Sequence, residues 1–250
     1  MPHSSNEHIV KSYDEELSRL TSEIQRMGDL ALKELEAAID AVVERDSDMA
    51  TRIVESDKEI DALEEIISQD VIRLLALRQP MAKDLREVLA ALRISSDIER
   101  IGDYSANVAK RALALNRVEL VRPVFSLPRL GKLAAEIISE VLIAYRDRDA
   151  DRALLAWARD EELDGLYTGM FRELLTYMME DPRNITACTH LLFMAKNIER
   201  IGDHATNIAE NIYFIVHGTQ IPQHRRKGDK TASVIAHVGA AVSKGGSPTT

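Results

Sequence analysis

Asp97–Asp103 reads DIERIGD and Asn197–Asp203 reads NIERIGD, one hundred residues apart. The correspondence extends over thirteen positions, DIERIGDYSANVA (97–109) against NIERIGDHATNIA (197–209), and eight of them are identical. Differences such as Val108/Ile208 and Asp97/Asn197 preserve size. A match of this length is the mark of an internal duplication. It also aligns the flanking sequence. Asp57-Lys-Glu-Ile-Asp61 pairs with Asp160-Glu-Glu-Leu-Asp164 at an offset of 103, against 100 at the IERIGD phrase, so the second copy has the shorter hairpin.

The rest of the chain is written for helices. It has 250 residues, enough for one large core or two small ones, and aromatic residues make up only 4%. Alanine, leucine, isoleucine, glutamate and arginine dominate, a composition that favours helix over sheet. Val10, Tyr13, Leu17, Leu20, Ile24, Met27, Ala31, Ala38 and Val42 form one apolar stripe at three- and four-residue spacing. The seven prolines fall between such patterns, where proline is tolerated. RDSD (45–48) and RDAD (148–151) read as tight breaks with an Asp or Ser capping the next helix. In EDPRN (180–184), Asp181 is placed to cap and Pro182 to open a helix. These signals predict an all-α fold of six long helices, roughly 8–45, 48–77, 80–117, 127–147, 151–180 and 182–217. They group as two tandem pseudo-symmetric three-helix bundles, 8–117 and 127–218, joined by a linker at 118–126. Residues 219–250, rich in Gly, Ser, Thr and Lys, are expected to form a disordered tail. The apolar patch VIAHVGAAV within it has no assigned role.

Charge and cysteine usage narrow the function. The formal charge is −9; the segment from His224 onward carries a net +4, leaving −13 on the remainder. So acidic a body repels phosphates and argues against a nucleic-acid surface, while suiting cations or a basic partner. One cysteine, Cys188, excludes a disulfide framework or thiolate metal cluster; it lies on an apolar stripe and reads as core filler. No apolar signal core opens the sequence and no run of eighteen apolar residues follows, so a cytoplasmic protein without membrane insertion is expected.

The repeated acids carry the chemistry. Residues i and i+4 share a helix face, so Glu99/Asp103 and Glu199/Asp203 each form a pair. Both pairs continue apolar stripes: Leu85 and Leu92 lead to Glu99, and Ile185 and Leu192 lead to Glu199. Asp57 and Asp61 lie on the side of the second helix that holds Ala50, Ile53, Val71 and Leu75. Asp160 and Asp164 share a face with Ala153, Tyr167, Phe171 and Leu174. Heights agree as well. Counted from a turn near residue 79, Asp61 and Asp57 are 18 and 22 residues back, and Glu99 and Asp103 are 20 and 24 forward. At ~1.5 Å per residue the mismatch is about 3 Å. The second hairpin matches as closely. Each bundle should therefore gather four carboxylates at one level, Asp57/Asp61/Glu99/Asp103 and Asp160/Asp164/Glu199/Asp203. Such a group is neutralised by raised pKa or by cations. With oxygen donors alone it suits divalent or trivalent ions such as Mg²⁺, Mn²⁺, Ca²⁺ or iron, and accommodates Zn²⁺. Asn107 and Asn207, a turn further on, are candidates for extra oxygen ligands or supporting bonds. Arg100 and Arg200 are competing partners for the acids. Gly102 and Gly202, each costing about 1 kcal/mol in a helix, are explained equally by close helix packing or by room for ions and water. His204, replaced by Tyr104 in the first copy, reads as a surface or interface residue.

The doubled Glu-x-x-x-Asp within IERIGD, its Asp-x-x-x-Asp partner on the preceding helix and the tandem three-helix layout resemble the PhoU family of phosphate-signalling regulators, over about residues 8–218. The resemblance implies a cytoplasmic adaptor, not an enzyme. It would link the ATPase subunit of a phosphate ABC transporter to a sensor histidine kinase and repress the phosphate-starvation response when phosphate is plentiful. It also implies multinuclear metal binding by the eight acids named above. The oligomeric state stays open, a homodimer included. Two other readings compete: a metal-free helical scaffold, and a di-iron carboxylate oxidase, which would want the Glu-x-x-His motifs that this sequence lacks.

Overall fold

The computed structural model describes residues 3–222 together with Asp229 and Thr231. The chain runs α1 (His3–Val43), α2 (Ser47–Arg78), α3 (Ala82–Leu115), a 3-10 turn (Arg122–Ser126), α4 (Leu127–Asp147), α5 (Ala150–Ala158), α6 (Asp160–Glu180), a second 3-10 turn (Pro182–Asn184) and α7 (Ile185–His217). There are no strands among the described residues, and no helix there is long and apolar enough to cross a membrane. Most of the expected tail, with VIAHVGAAV, lies outside the described residues.

The caps fall where the sequence places them. Asp46 accepts from Met49 N at 2.8 Å and Asp149 from Arg152 N at 2.9 Å, each satisfying one orphan amide of a helix start. Before both caps stands an arginine in the left-handed region, Arg45 at φ 57° and Arg148 at φ 53°, a conformation that usually selects glycine. Both side chains are anchored across the molecule. Arg45 donates to the carbonyls of Asn116 (2.6 Å) and Val118 (3.0 Å), and Arg148 pairs with Glu87 at 2.7 Å. Asp181 accepts from Arg183 N at 2.9 Å, but a 3-10 turn intervenes before α7. Gly218, at φ 73°, ends α7.

One expected helix is divided. The rod expected over 151–180 is interrupted at Arg159, which keeps near-helical angles (φ −71°, ψ −14°). There the bonding tightens: Arg159 N donates to Ala156 O and Glu162 N to Arg159 O, both at 3.1 Å. Its counterpart α2 is unbroken. The expected linker is no bare connector either, because Pro123 and Val124 are buried in the 3-10 turn.

α1, α2 and α3 pack on one another, and α4 to α6 pack around α7. The most extensive contact of all joins α3 to α7, and α1 also packs on α4, so one apolar core runs through both halves. The α1/α4 crossing is reciprocal. A Cβ at Gly28 would overlap the Leu142 side chain, and one at Gly131 would stand 2.6 Å from Ile39 Cγ1. Gly28 and Gly131 are equivalent positions at offset 103, and so are Ile39 and Leu142. Each half supplies the hole for the other's knob.

Candidate metal sites

In the first half, α2 and α3 bring the expected acids near one another. Asp57 faces Asp61 and Asp103, and Glu99 faces Asp103, Asp61 and Glu64. Burial, then the neighbouring carboxylates, push Asp57 up to about 6 and raise Glu99 as well. These are the responses of a carboxyl losing water and meeting like charge. Asp61 itself is exposed at the rim, so the face assigned to it is only an edge. Arg100 supplies countercharge, 2.9 Å from Asp103 Oδ2 and 3.4 Å from Glu99 Oε2.

Glu34 of α1 joins this set and was not anticipated. It is buried, accepts from Ser56 Oγ at 2.8 Å, and faces Asp57 and Asp61; burial drives its carboxyl up to about 7. The signal was present, since Glu34 sits in the Met27–Ala31–Ala38–Val42 stripe. The second half has Ile137 at the equivalent position.

In the second half, Asp160, Asp164 and Glu199 are buried and Asp203 partly so. Glu199 is raised by burial and by Asp203 and Asp164, while Lys196, 2.7 Å away, pulls the other way. The helix glycines serve close helix packing. A Cβ at Gly102 would stand 2.9 Å from Ile60 Cδ1 and 3.2 Å from Asp57 Oδ1; one at Gly202 would overlap Leu163 and stand 2.8 Å from Asp160 Oδ1. Each glycine admits one apolar and one acidic side chain from the facing helix.

His204 lies at the interface between the halves. Its Nδ1 pairs with Asp97 Oδ1 at 2.8 Å, and Asn207 Nδ2 donates to the same oxygen at 3.1 Å. Asn207 is thereby turned toward the α3/α7 seam through its nitrogen. Cys188 is wholly buried, as filler should be.

The donor chemistry fits hard cations: eight carboxylates, two backed by glycine, with raised proton affinity in both sets. The arrangement is not closed around an ion. Among the described residues no group of three or more His, Cys, Asp or Glu is disposed to hold one, and Arg100 and Lys196 engage the acids directly. If metal binds, Asp57, Asp61, Glu99 and Asp103, and separately Asp160, Asp164, Glu199 and Asp203, are the side chains that would hold it.

The fold and these sets define a duplicated, all-helical protein whose halves share one core and each carry a helix-borne carboxylate cluster. The PhoU domain is matched twice, over residues 24–112 and 127–212, and the chain belongs to the PhoU family. The phosphate-specific transport system accessory protein PhoU homolog of Xylella fastidiosa (strain 9a5c) is 58% identical over 231 residues, 92% of this chain and 98% of that protein. Among solved structures, PhoU from Pseudomonas aeruginosa is similar at TM-score 0.81 and 38% identity, over 83% of this chain and all of that one. The phosphate transport system regulatory protein PhoU from Streptococcus pneumoniae follows at TM-score 0.79 and 30% identity, over 84% of this chain and all of that one.

Proposed function

We propose that this chain is a cytoplasmic adaptor of phosphate uptake and phosphate-starvation signalling. It couples the ATPase subunit of a phosphate ABC transporter to a sensor histidine kinase and represses the response when phosphate is plentiful. Metal ions are held in its two carboxylate sets. The reading rests on one observation, the 58% identity to a phosphate-transport accessory protein along 98% of that protein. Physical features support an output made by binding. The rods present long polar faces, and an acidic surface speeds encounter with basic patches on a partner. Cations in the sets would neutralise clustered charge and lock α2 to α3 and α6 to α7, because bound ions are often the largest local charges.

A deletion strain is expected to keep phosphate-starvation genes switched on in high phosphate, with uptake unrestrained. Normal repression in that strain, together with no binding of the purified protein to the ATPase subunit or the kinase, would overturn the assignment. The metal reading is tested separately. Glu99→Gln with Asp103→Asn is expected to remove the ions of the first set from protein purified under metal-replete conditions, measured by elemental analysis. Unchanged content sinks it.

A further inference from the structure

An open cavity of about 220 Å³ between α1 and α2 has apolar walls from Leu30, Ala37, Ile53 and Ile60. Glu34 lines it too and is only 7% exposed. Its Oε1 accepts from Ser56 Oγ at 2.8 Å, while its Oε2 is shut off from water with no hydrogen-bond partner among the described residues. A carboxylate oxygen so placed costs free energy until a donor reaches it. The second half treats the same place differently. At the fixed offset of 103, Ser56 becomes Arg159, Lys33 becomes Glu136 and Glu34 becomes Ile137. Arg159 Nη2 lies 2.5 Å from Glu136 Oε2, so that half supplies its own guanidinium–carboxylate pair at the α5/α6 break. The first half keeps an acid, moved one position along α1, and has a serine where the guanidinium would come from.

We propose that this cavity is a docking site for the side chain of an arginine presented by a partner protein. Charge favours it. The ionisable groups facing Glu34 from α2 are all acids, Asp57, Asp61 and Glu59, and Glu59 is held by Arg26 at 3.0 Å on the exposed surface. Lys33 is the one cation among the lining residues, and it is exposed, where salt and water screen it. Shape favours arginine over lysine. A guanidinium presents its donors in a planar fork that meets a carboxylate through two parallel bonds, and here it gives Glu34 Oε2 the donor it lacks. Its methylene stem lies against Leu30, Ile53 and Ile60, as such stems do on apolar surface. An ammonium has no fork and gives up its hydration less readily. Against about 30 Å³ for one water, the space is that of a single long side chain. The site depends neither on metal in the acid sets nor on which partner the adaptor meets.

The test follows the methyl resonances of Leu30, Ile53 and Ile60 in the full chain during titration with acetyl-Gly-Arg-Gly-amide. It is run on the alkaline side of neutrality, where Glu34 is ionised. Saturable shifts are expected, with a dissociation constant on the order of 1 mM. The same peptide carrying citrulline, neutral and of nearly the same shape, should bind about tenfold more weakly, because it forfeits the charge-assisted bonds. Glu34→Gln should lose about tenfold in affinity for the arginine peptide and cease to distinguish it from the citrulline one. Ser56→Arg with Lys33→Glu, which transplants the second half's pair, should fill the cavity and abolish the shifts. Equal binding of the two peptides by the parent, unchanged affinity in Glu34→Gln, or no saturable shift in the parent overturns the site. Free arginine, whose α-carboxylate meets the surrounding acids, should bind more weakly than the peptide. Tighter binding of the free amino acid would make the occupant a small molecule and overturn the assignment to a partner protein.

Discussion

Glu34 shows how one residue escapes a sequence reading. Periodicity puts it in the α1 stripe, but an acid at one stripe position is commonly a helix edge. Only the approach of α2 makes it a buried neighbour of Asp57 and Asp61. Its consequence is a pH dependence. The folded chain holds the Glu34 proton up to about 7, against an ordinary 4.5, so folding binds a proton that the unfolded chain has already released. That contribution favours the fold below the unfolded pKa and is lost as pH rises through the folded one. Asp57, at about 6 instead of 3.8, acts in the same direction. Glu34→Gln, which keeps an acceptor for Ser56, should match the parent near pH 4 and exceed it by about 1–2 kcal/mol near pH 8, after allowance for solvent screening. Urea unfolding at both pH values decides; a variant no more stable at the higher pH contradicts the burial of an ionising carboxyl.

At the scale of elements, what was legible was what repeats or alternates. The α1 stripe, the Asp46, Asp149 and Asp181 caps and the nearness of the acids within each half all follow from spacing along one or two helices. What was not legible depends on helices distant in sequence. The break at Arg159 has no Gly or Pro to announce it. The left-handed Arg45 and Arg148 sit where glycine would be expected, and their anchors on Asn116, Val118 and Glu87 appear only in the fold. Gly28 and Gly131 lie within ordinary helix sequence, and their purpose emerges only when α1 meets α4. That crossing makes a quantitative prediction. Gly28→Leu should cost about 1–3 kcal/mol by overpacking against Leu142, and Leu142→Ala about 2–5 kcal/mol by leaving a void. The double variant exchanges knob and hole, so its loss should fall well below the sum. Additive losses in chemical denaturation would mean that the two residues do not meet.

Among the described residues one core runs through both halves, and the α3/α7 seam is the broadest contact between their helices. A fragment of residues 8–117 alone would expose the α3 face that α7 covers. Because α7 repeats the α3 sequence, that face has a near copy of its natural partner in a second fragment. The fragment is expected to form a two-fold dimer in light scattering, and a stable, well-folded monomer would contradict the shared core. In such a dimer every surface appears twice, and every mutation strikes both copies. The stretch that Arg45 clasps at Asn116 and Val118 frees the protein from that constraint. Covalent tethering holds the halves at an effective concentration fixed by the chain. Their pairing therefore survives dilution, and the composition of the assembly does not vary with expression level. One half can acquire an arginine while the other keeps its serine, giving the particle two distinguishable poles in a fixed one-to-one ratio.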